Sequence, residues 1–173
     1  MIKLVKQDFN KNKELYKCIE KKLRINIPQN IPITHVGSTA IPNMYGKNII
    51  DILIGAKNEE ELNKISKILI NEGYISSDKS KTEIYQFFAS KKEETVSGDI
   101  HIHLVIMNTD RYSDFIILKK YLLNCKEESL AYSNFKIEIV NKEVVERKEY
   151  KNIKTMYVTN LLKKAREYYN KIW

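Results

Sequence analysis

The stretch His35-Val-Gly-Ser-Thr-Ala-Ile-Pro-Asn-Met-Tyr-Gly-Lys-Asn-Ile-Ile-Asp51 decides the fold. A short predicted strand, Ile33–Val36, leads into it, and a turn-rich loop over Gly37–Gly46 follows. The next segment, Asn48–Ala56, is strongly apolar and is typical of a strand buried on both faces. Asp51 stands alone among its isoleucines, and burying a carboxylate without a partner is costly. The stretch therefore predicts two strands joined by a functional loop.

The residue types in this loop are suited to binding a phosphorylated ligand. Gly37 lets the backbone approach a ligand closely because it has no Cβ. Ser38 offers a hydroxyl, and the loop around Thr39 offers backbone N–H groups, to phosphate oxygens. Lys47 either binds phosphate or pairs with Asp51. Asp51 offers a hard oxygen ligand for Mg²⁺, unless it serves only in a structural ion pair.

A later strand carries a second group of polar side chains. Within Ile100–Met107 the apolar residues alternate with His101 and His103, and Asp99 continues their face. Two imidazoles and a carboxylate on one face can help hold a divalent metal, contact phosphate, or act as acid and base. The alternative is a set of structural hydrogen bonds on a half-exposed sheet face. We predict that Ser38, Asp51 and the two histidines converge on one pocket.

The remaining periodicity predicts an α/β (α+β) fold. A helix over Asp8–Arg24, with an apolar stripe through Leu15, precedes the loop, and a second helix begins at Asn58. Glu83–Ser90 is a predicted strand that pairs with Ile100–Met107 through a polar link. The chain is helical after Thr109. We expect one domain over 1–173, with a core at 1–108 and a helical part at 109–173, a central Asn48–Ala56 strand, and helices on one face of a mixed sheet.

The sequence resembles the GrpB family, also called UPF0157, which belongs to the nucleotidyltransferase superfamily. The resemblance rests on the string HVGSTAIP, on Lys47, and on IIDILIG. Tyrosine–lysine features in the C-terminal half extend it: Tyr121-Leu122, Tyr132 and Lys136, Tyr150 and Lys154. It implies a nucleotidyltransferase-like mixed sheet flanked by helices, with the helical half closing one side of a cleft. It also implies Mg²⁺ together with an NTP, ATP being the first choice.

Several positions depart from what the resemblance implies. The superfamily's second carboxylate is expected two residues after Asp51, where this chain has Leu53. Asn43 and Asn48 replace a usual Gly and a usual Pro. Lys119-Lys120 replaces an Arg-Asp pair, so no role is carried over to those two positions. Asp51, His101 and His103 are the candidate catalytic residues; Gly37, Ser38, Thr39 and Lys47 are the candidate phosphate ligands; Asp51, Asp99, His101 and His103 are the candidate metal ligands.

The amino-acid composition and net charge indicate which kinds of partner the chain favours. The net charge of +8 and the pI near 9.3 favour anionic partners, although the lysines are spread along the whole chain. No apolar run approaches the length of a membrane span, and no signal peptide is recognised. Cys18 and Cys125 are interpreted as reduced, partly buried side chains of a cytoplasmic protein.

Three functions remain open. The first is Mg²⁺-dependent transfer of a nucleotidyl group from an NTP to an unknown acceptor. The second is a nucleotide-binding module of the same family without catalysis. Nucleic-acid binding ranks last because no recognisable RNA- or DNA-binding signature accompanies the charge. The sequence does not fix the oligomeric state.

Overall fold

A computed structural model describes residues 3–90, 99–141 and 147–170 of the chain. Its main sheet has five strands in the order β2-β4-β7-β6-β5. These strands are β2 (Ile33–Val36), β4 (Ile50–Ala56), β5 (Ile75–Ser76), β6 (Tyr85–Ala89) and β7 (Ile100–Ile106). The β4–β7 pair is parallel and the other pairs are antiparallel, so the sheet is mixed, as predicted. A separate two-stranded pair joins β1 (Val5–Lys6) to β3 (Tyr45–Gly46).

The first two helices begin at side chains that cap them. Helix α1 spans Phe9–Leu23, and the Asp8 carboxylate accepts the backbone N–H of Lys11 at 3.0 Å. Helix α2 spans Glu59–Asn71, and the Asn58 side chain accepts the backbone N–H of Glu61 at 2.9 Å. Both contacts satisfy N–H groups that a helix start leaves without an intrahelical acceptor. Both helices were predicted within a residue or two of these limits.

One face of the sheet is apolar and is covered by α1 and α2. The even-numbered residues of β4 point to this face, and their burial explains the isoleucine run. The buried cluster contains Ile19, Leu23, Ile27, Ile31, Ile33, Ile50, Ile52, Ile54, Ala56, Leu62, Ile65, Leu69, Phe88, Ile102 and Leu104. The predicted stripe of α1 was wrong at Leu15, whose side chain is 46% exposed, because the buried face instead includes Asn12.

The opposite face is shared between α3 and the candidate site. Helix α3 (Asp110–Asn124) packs Tyr112, Phe115 and Ile116 against a buried cluster of Val36, Leu53, Tyr85 and Val105. The predicted face of helices is the one that α1 and α2 cover. Helix α3, from the predicted helical half, covers part of the opposite face, because the odd-numbered residues of β4 include Leu53, which also requires an apolar cover. The predicted central position of β4 needs correction. Strand β7 is central, and β4 lies between it and the edge strand β2.

The helical half packs against the loop that follows β2. Helices α4 (Lys126–Asn141) and α5 (Arg147–Asn170) complete it. Its buried cluster joins two loop residues, Ile41 and Met44, to residues of all three helices: Tyr121, Leu122, Tyr132, Leu161 and Ala165. The loop is thus held between the sheet and the helices.

Two smaller features complete the description of the fold. Cys18 is exposed, contrary to the expectation of partial burial, whereas Cys125 is half-buried. Among the helices of the described residues, none is both long enough and apolar enough to cross a membrane.

Candidate functional site

Gly37 brings the loop directly against the carboxylate of Asp51. Its φ of +74° lies in the left-handed region, and the turn Ser38–Ala40 follows it. A Cβ at this position would stand 2.2 Å from Oδ2 of Asp51. A side chain is excluded both by that contact and by the backbone conformation. Glycine therefore permits the close approach of the loop to the Asp51 side chain; the approach to a ligand expected from the sequence remains a prediction.

A buried chain of contacts holds this loop from behind. The Thr39 hydroxyl donates to the carbonyl of Ile49 at 3.1 Å, so it accepts from Nε2 of His35 at 2.9 Å. The His35 ring stacks on Tyr16, with centroids 4.7 Å apart. Burial, followed by the nearby charge of Lys119, lowers the pKa of His35 to about 4, so its imidazole is neutral at pH 7. The Thr39 hydroxyl is engaged inside the fold, whereas the neighbouring Ser38 is half-buried and its hydroxyl contacts Lys136.

Asp51 lies beside both strand histidines. Residues Asp51 and His101 are register partners in the parallel β4–β7 pair, and His103 follows on the same face. Oδ1 of Asp51 lies 3.4 Å from Nδ1 of His101 and 3.7 Å from Nε2 of His103. The predicted proximity of the histidines to Asp51 is confirmed. Burial raises the pKa of Asp51, but the contacts with the two imidazoles outweigh burial and hold the pKa well below its ordinary value.

Aromatic side chains fix the two histidine rings. The Tyr85 hydroxyl lies 3.0 Å from Nδ1 of His103, and Tyr85 is itself buried. Phe87 packs between the two imidazoles, at centroid distances of 5.0 Å to His101 and 5.5 Å to His103. Phe115 of α3 lies on the other side of His103 at 4.7 Å. This packing restricts the histidine rings to the orientation that faces Asp51.

Lys136 of α4 approaches the loop from the helical half. Its Nζ donates to Oγ of Ser38 at 3.0 Å and to the backbone carbonyl of Tyr45. It also lies 4.6 Å from the ring centroid of Tyr132, and its side chain is 1% exposed. Burial, with a smaller effect from the charge of Lys154, lowers the pKa of Lys136 to about 7, although the charge of Asp51 opposes this.

Three other predicted positions lie around this centre. Lys47 is exposed, with its Nζ 4.9 Å from the ring centroid of Tyr150 in α5. Asp99 is exposed at the start of β7, where its carbonyl accepts the backbone N–H of Ile50 at 2.8 Å. Leu53, in the place of a second carboxylate, is 0% exposed. Across residues 3–90, 99–141 and 147–170, no group of three or more His, Cys, Asp or Glu side chains stands ready to hold a metal ion.

Sequence reasoning assigned no site role to Lys136, and it favoured core packing of Tyr85 over stacking on a base. Lys136 contacts a serine 98 positions away, so no local spacing indicates the contact. Its one sequence signal is Tyr132, four residues earlier and therefore on the same helix face. Tyr85 is the register partner of Val105, which lies two residues beyond His103 on β7. Tyr85 and His103 therefore lie on the same face of the sheet as Asp51.

Solved structures share this arrangement of strands and helices. The GrpB protein of Enterococcus faecalis is 18% identical, covers 96% of this chain and 99% of its own, and superposes with a TM-score of 0.82. A cytoplasmic RNA terminal U-transferase is 14% identical, with a TM-score of 0.54 over 76% of this chain. This chain spans 42% of the transferase. At these identities the likeness concerns the fold alone, which is that of nucleotidyltransferases.

Sequence comparison identifies the family. A UPF0157 protein of Deinococcus radiodurans is 24% identical over 146 residues, which cover 84% of this chain and 73% of the relative. The sequence pattern of the family described as GrpB protein matches residues 2–164, and these include the loop, both site strands and Lys136. The chain therefore belongs to the GrpB family.

Proposed function

We propose that this chain binds a nucleotide through its phosphates, at a cleft formed by Ser38 and Lys136 beside Asp51. The observation that carries the proposal is the environment of Lys136. Its side chain is almost fully buried, and the hydrogen-bond partners that the structure gives it are a hydroxyl and a carbonyl. Burying a cation among neutral groups is costly. A phosphate group at Ser38 supplies the missing negative charge.

The surroundings of Lys136 also favour an anion. Lys154 lies near enough for its charge to lower the pKa of Lys136. Lys47 lies over the ring of Tyr150. Burial raises the pKa of Tyr150, and the charge of the same Lys154 opposes part of that rise. Lys136 and Lys154 of the helical half and Lys47, which directly follows the loop, thus bring three lysines together. Ser38 is half-buried, so a ligand can reach its hydroxyl from the open side of the cleft.

The donors around Asp51 fit Mg²⁺ poorly. Mg²⁺ prefers six oxygen ligands in near-octahedral geometry. Here the position of the second carboxylate is the buried Leu53, Oδ1 of Asp51 is shared by two imidazole nitrogens, and Oδ2 lies against Gly37. Asp51 is therefore not assigned a role as a Mg²⁺ ligand. Nucleotide binding without catalysis is the function that this geometry supports best.

Transfer of a nucleotidyl group from an NTP to an unknown acceptor is the second candidate. It is favoured by the position of Asp51 and His101 beside the proposed phosphate cleft, and by the fold shared with the U-transferase. In such a step an acceptor oxygen bonds to the α-phosphorus and pyrophosphate leaves. Ser38 and Lys136 would hold the leaving phosphates, and His101 would accept the acceptor's proton.

Calorimetric titration tests the binding proposal. ATP, pyrophosphate and adenosine are added to wild type and to the Lys136→Met variant, which keeps the length of the side chain and removes its charge. We expect ATP and pyrophosphate to bind wild type, adenosine to bind at least about tenfold more weakly, and Lys136→Met to lose about 2 kcal/mol or more of phosphate affinity. The matched control is the exposed Lys120→Met. Equal affinities in wild type and Lys136→Met would overturn the proposal.

The second candidate has its own test. ATP and Mg²⁺ together should raise the melting temperature by more than the sum of their separate effects only if metal and triphosphate bind jointly. Asp51→Asn should remove that excess while leaving pyrophosphate binding intact. Additive effects in both proteins would leave nucleotide binding without Mg²⁺-assisted transfer.

A further inference from the structure

The two strand histidines differ in which ring nitrogen faces Asp51. His101 presents Nδ1 to Oδ1 at 3.4 Å, whereas His103 presents Nε2 to the same oxygen at 3.7 Å. A carboxylate only accepts hydrogen bonds, so the nitrogen that faces it carries the proton. In the neutral rings the proton therefore lies on Nδ1 of His101 and on Nε2 of His103, and the lone pair lies on the other nitrogen of each ring.

That second nitrogen is occupied in one histidine and open in the other. The Tyr85 hydroxyl lies 3.0 Å from Nδ1 of His103 and donates to its lone pair. Nε2 of His101 has no such partner in the part of the chain that the structure describes. In that part, every buried side-chain nitrogen or oxygen has a hydrogen-bond partner, so this nitrogen is reached by solvent. Of the two strand histidines, only His101 presents an unoccupied imidazole lone pair.

Asp51 lies between His101 and the proposed phosphate site. Its Oδ1 faces His101, and its Oδ2 faces the backbone of Gly37, which directly precedes Ser38. The loop and the imidazole therefore lie on either side of one carboxylate, a separation that a chain of three phosphates can span. N–H groups of two imidazoles face this carboxylate, which weakens its repulsion of a nearby phosphate.

We infer that His101 is the nucleophile of this site, and that its Nε2 attacks the α-phosphorus of a bound nucleoside triphosphate. The lone pair of Nε2 forms an N–P bond, the bond from the α-phosphorus to the oxygen bridging to the β-phosphorus breaks, and pyrophosphate leaves with that electron pair beside Lys136. An acceptor oxygen then bonds to the same phosphorus, the N–P bond breaks, and Nε2 takes the acceptor's proton. The inference rests on the proposed nucleotide site and divides the transfer reaction into two steps.

Asp51 orients this nucleophile. Its negative charge keeps the proton on Nδ1 of His101 and stabilises the positive charge that the ring gains when Nε2 bonds to phosphorus, as a carboxylate does for the histidine of a catalytic triad. The contact of 3.4 Å is long for a hydrogen bond, but such contacts tighten when an enzyme binds its substrate. His103, held by Tyr85, faces the same carboxylate oxygen. In the competing explanation the two imidazoles only neutralise the carboxylate, and neither forms a covalent bond.

The two explanations differ in whether the protein becomes covalently labelled. The full chain is incubated, without any acceptor, with each common ribonucleoside triphosphate radiolabelled at the α-phosphorus, and with Mg²⁺, which accompanies nucleotide phosphates. We expect at least one of them to leave a nucleotidyl group that is stable in alkali and lost in acid, as a bond from imidazole nitrogen to phosphorus is. Mass spectrometry of peptides should place the group on His101. Added pyrophosphate should release it as the triphosphate, and label at the γ-phosphorus should not be retained.

Variants separate the nucleophile from its neighbours. His101→Gln should abolish the label, and Asp51→Asn should slow its formation by about 100-fold or more, because an amide no longer holds the proton on Nδ1. His103→Gln is the matched strand variant and should still form the label, since both nitrogens of His103 are engaged in wild type. Pyrophosphate binding, measured by calorimetry, should persist in all three variants, and circular dichroism confirms their folding.

Retention of the label in His101→Gln, a label on another residue, or a label from the γ-phosphorus alone would overturn the inference. A wild-type protein that binds pyrophosphate at Lys136 and acquires no label would also overturn it, while leaving the proposed function in place. Failure of both binding and labelling would overturn the proposed function, and the inference with it.

Discussion

The strand side and the helix side of the proposed site carry opposite charges in opposite environments. On the strand side, Asp51 is an anion beside two imidazoles, and these contacts outweigh burial so that its pKa falls. On the helix side, Lys136 is a cation beside neutral groups, and burial lowers its pKa to about 7. Both values fall, but the charged form is favoured in Asp51 and disfavoured in Lys136. The comparison supports placing the negative charge of the proposed ligand at Lys136.

The largest expected effect comes from a side chain at Gly37, which would push the loop away from Asp51. The Gly37→Ala variant places a Cβ against Oδ2 of Asp51 and strains a left-handed residue. We expect a loss of about 3–4 kcal/mol in the free energy of unfolding, together with loss of phosphate binding. Urea denaturation measures the first quantity and calorimetry the second.

Gly73→Ala is the control for this effect. Gly73 also has a positive φ, but a Cβ there meets nothing within 4 Å. Strain alone should cost about 1–2 kcal/mol. Equal losses in the two variants would show that the contact between Gly37 and Asp51 contributes nothing.

A smaller effect is expected from acid, through His35 behind the loop. Its pKa is about 4 in the folded protein and 6.5 when unperturbed. Between these pH values the unfolded chain therefore binds a proton that the folded protein does not bind. Stability from this group is complete above pH 6.5 and falls as the pH is lowered toward 4. Between pH 7 and pH 5 we expect a loss of about 2 kcal/mol.

His35→Gln isolates this contribution to the acid effect. The variant should be less stable at pH 7, because its side chain no longer stacks on Tyr16 as an imidazole does. However, its loss between pH 7 and pH 5 in urea denaturation should be smaller than that of wild type by about the same 2 kcal/mol. An identical loss in both proteins would assign the acid sensitivity to other groups.

The smallest effect concerns Ser38. Ser38→Ala removes the hydroxyl that accepts from Lys136. Pyrophosphate affinity should fall by about 1 kcal/mol, which is one ordinary hydrogen bond. Ser133→Ala in α4 is the comparison. The Ser133 hydroxyl accepts the backbone N–H of Tyr45, near the end of the same loop, at 2.8 Å. A larger loss of affinity in Ser133→Ala would move the phosphate site away from Ser38.

Local sequence patterns predicted the elements well and their assembly less well. The strand Ile33–Val36 and the helices that begin next to Asp8 and at Asn58 depend on neighbouring residues, and all three are confirmed. The alternation in β7 likewise predicted that His101 and His103 share a face. The cover supplied by α3 depends on which helix returns to the sheet, and that information lies in contacts distant in sequence. For this reason the sequence did not predict that α3 packs on the second face of the sheet.

The same reasoning explains which part of the site was missed. Asp51 and the histidines lie on neighbouring strands, so period-two alternation brings them together once the strands pair. Lys136 reaches Ser38 from a helix that packs through Ile41 and Met44 of the loop. No periodicity of α4 indicates that its lysine points inward, because burial of a lysine runs against its ordinary preference. The helix side of the site required the structure.

A pH titration of Lys136 tests the proposed phosphate site most directly. The side-chain NMR signals of Lys136, assigned by their loss in Lys136→Met, are followed through a pH titration with and without pyrophosphate. We expect a pKa near 7 for Lys136 in the free protein and a marked rise when phosphate is bound, because an anion then stabilises the ammonium. A Lys136 that titrates near its ordinary value in the free protein, or whose pKa is unmoved by saturating pyrophosphate, would contradict the proposal.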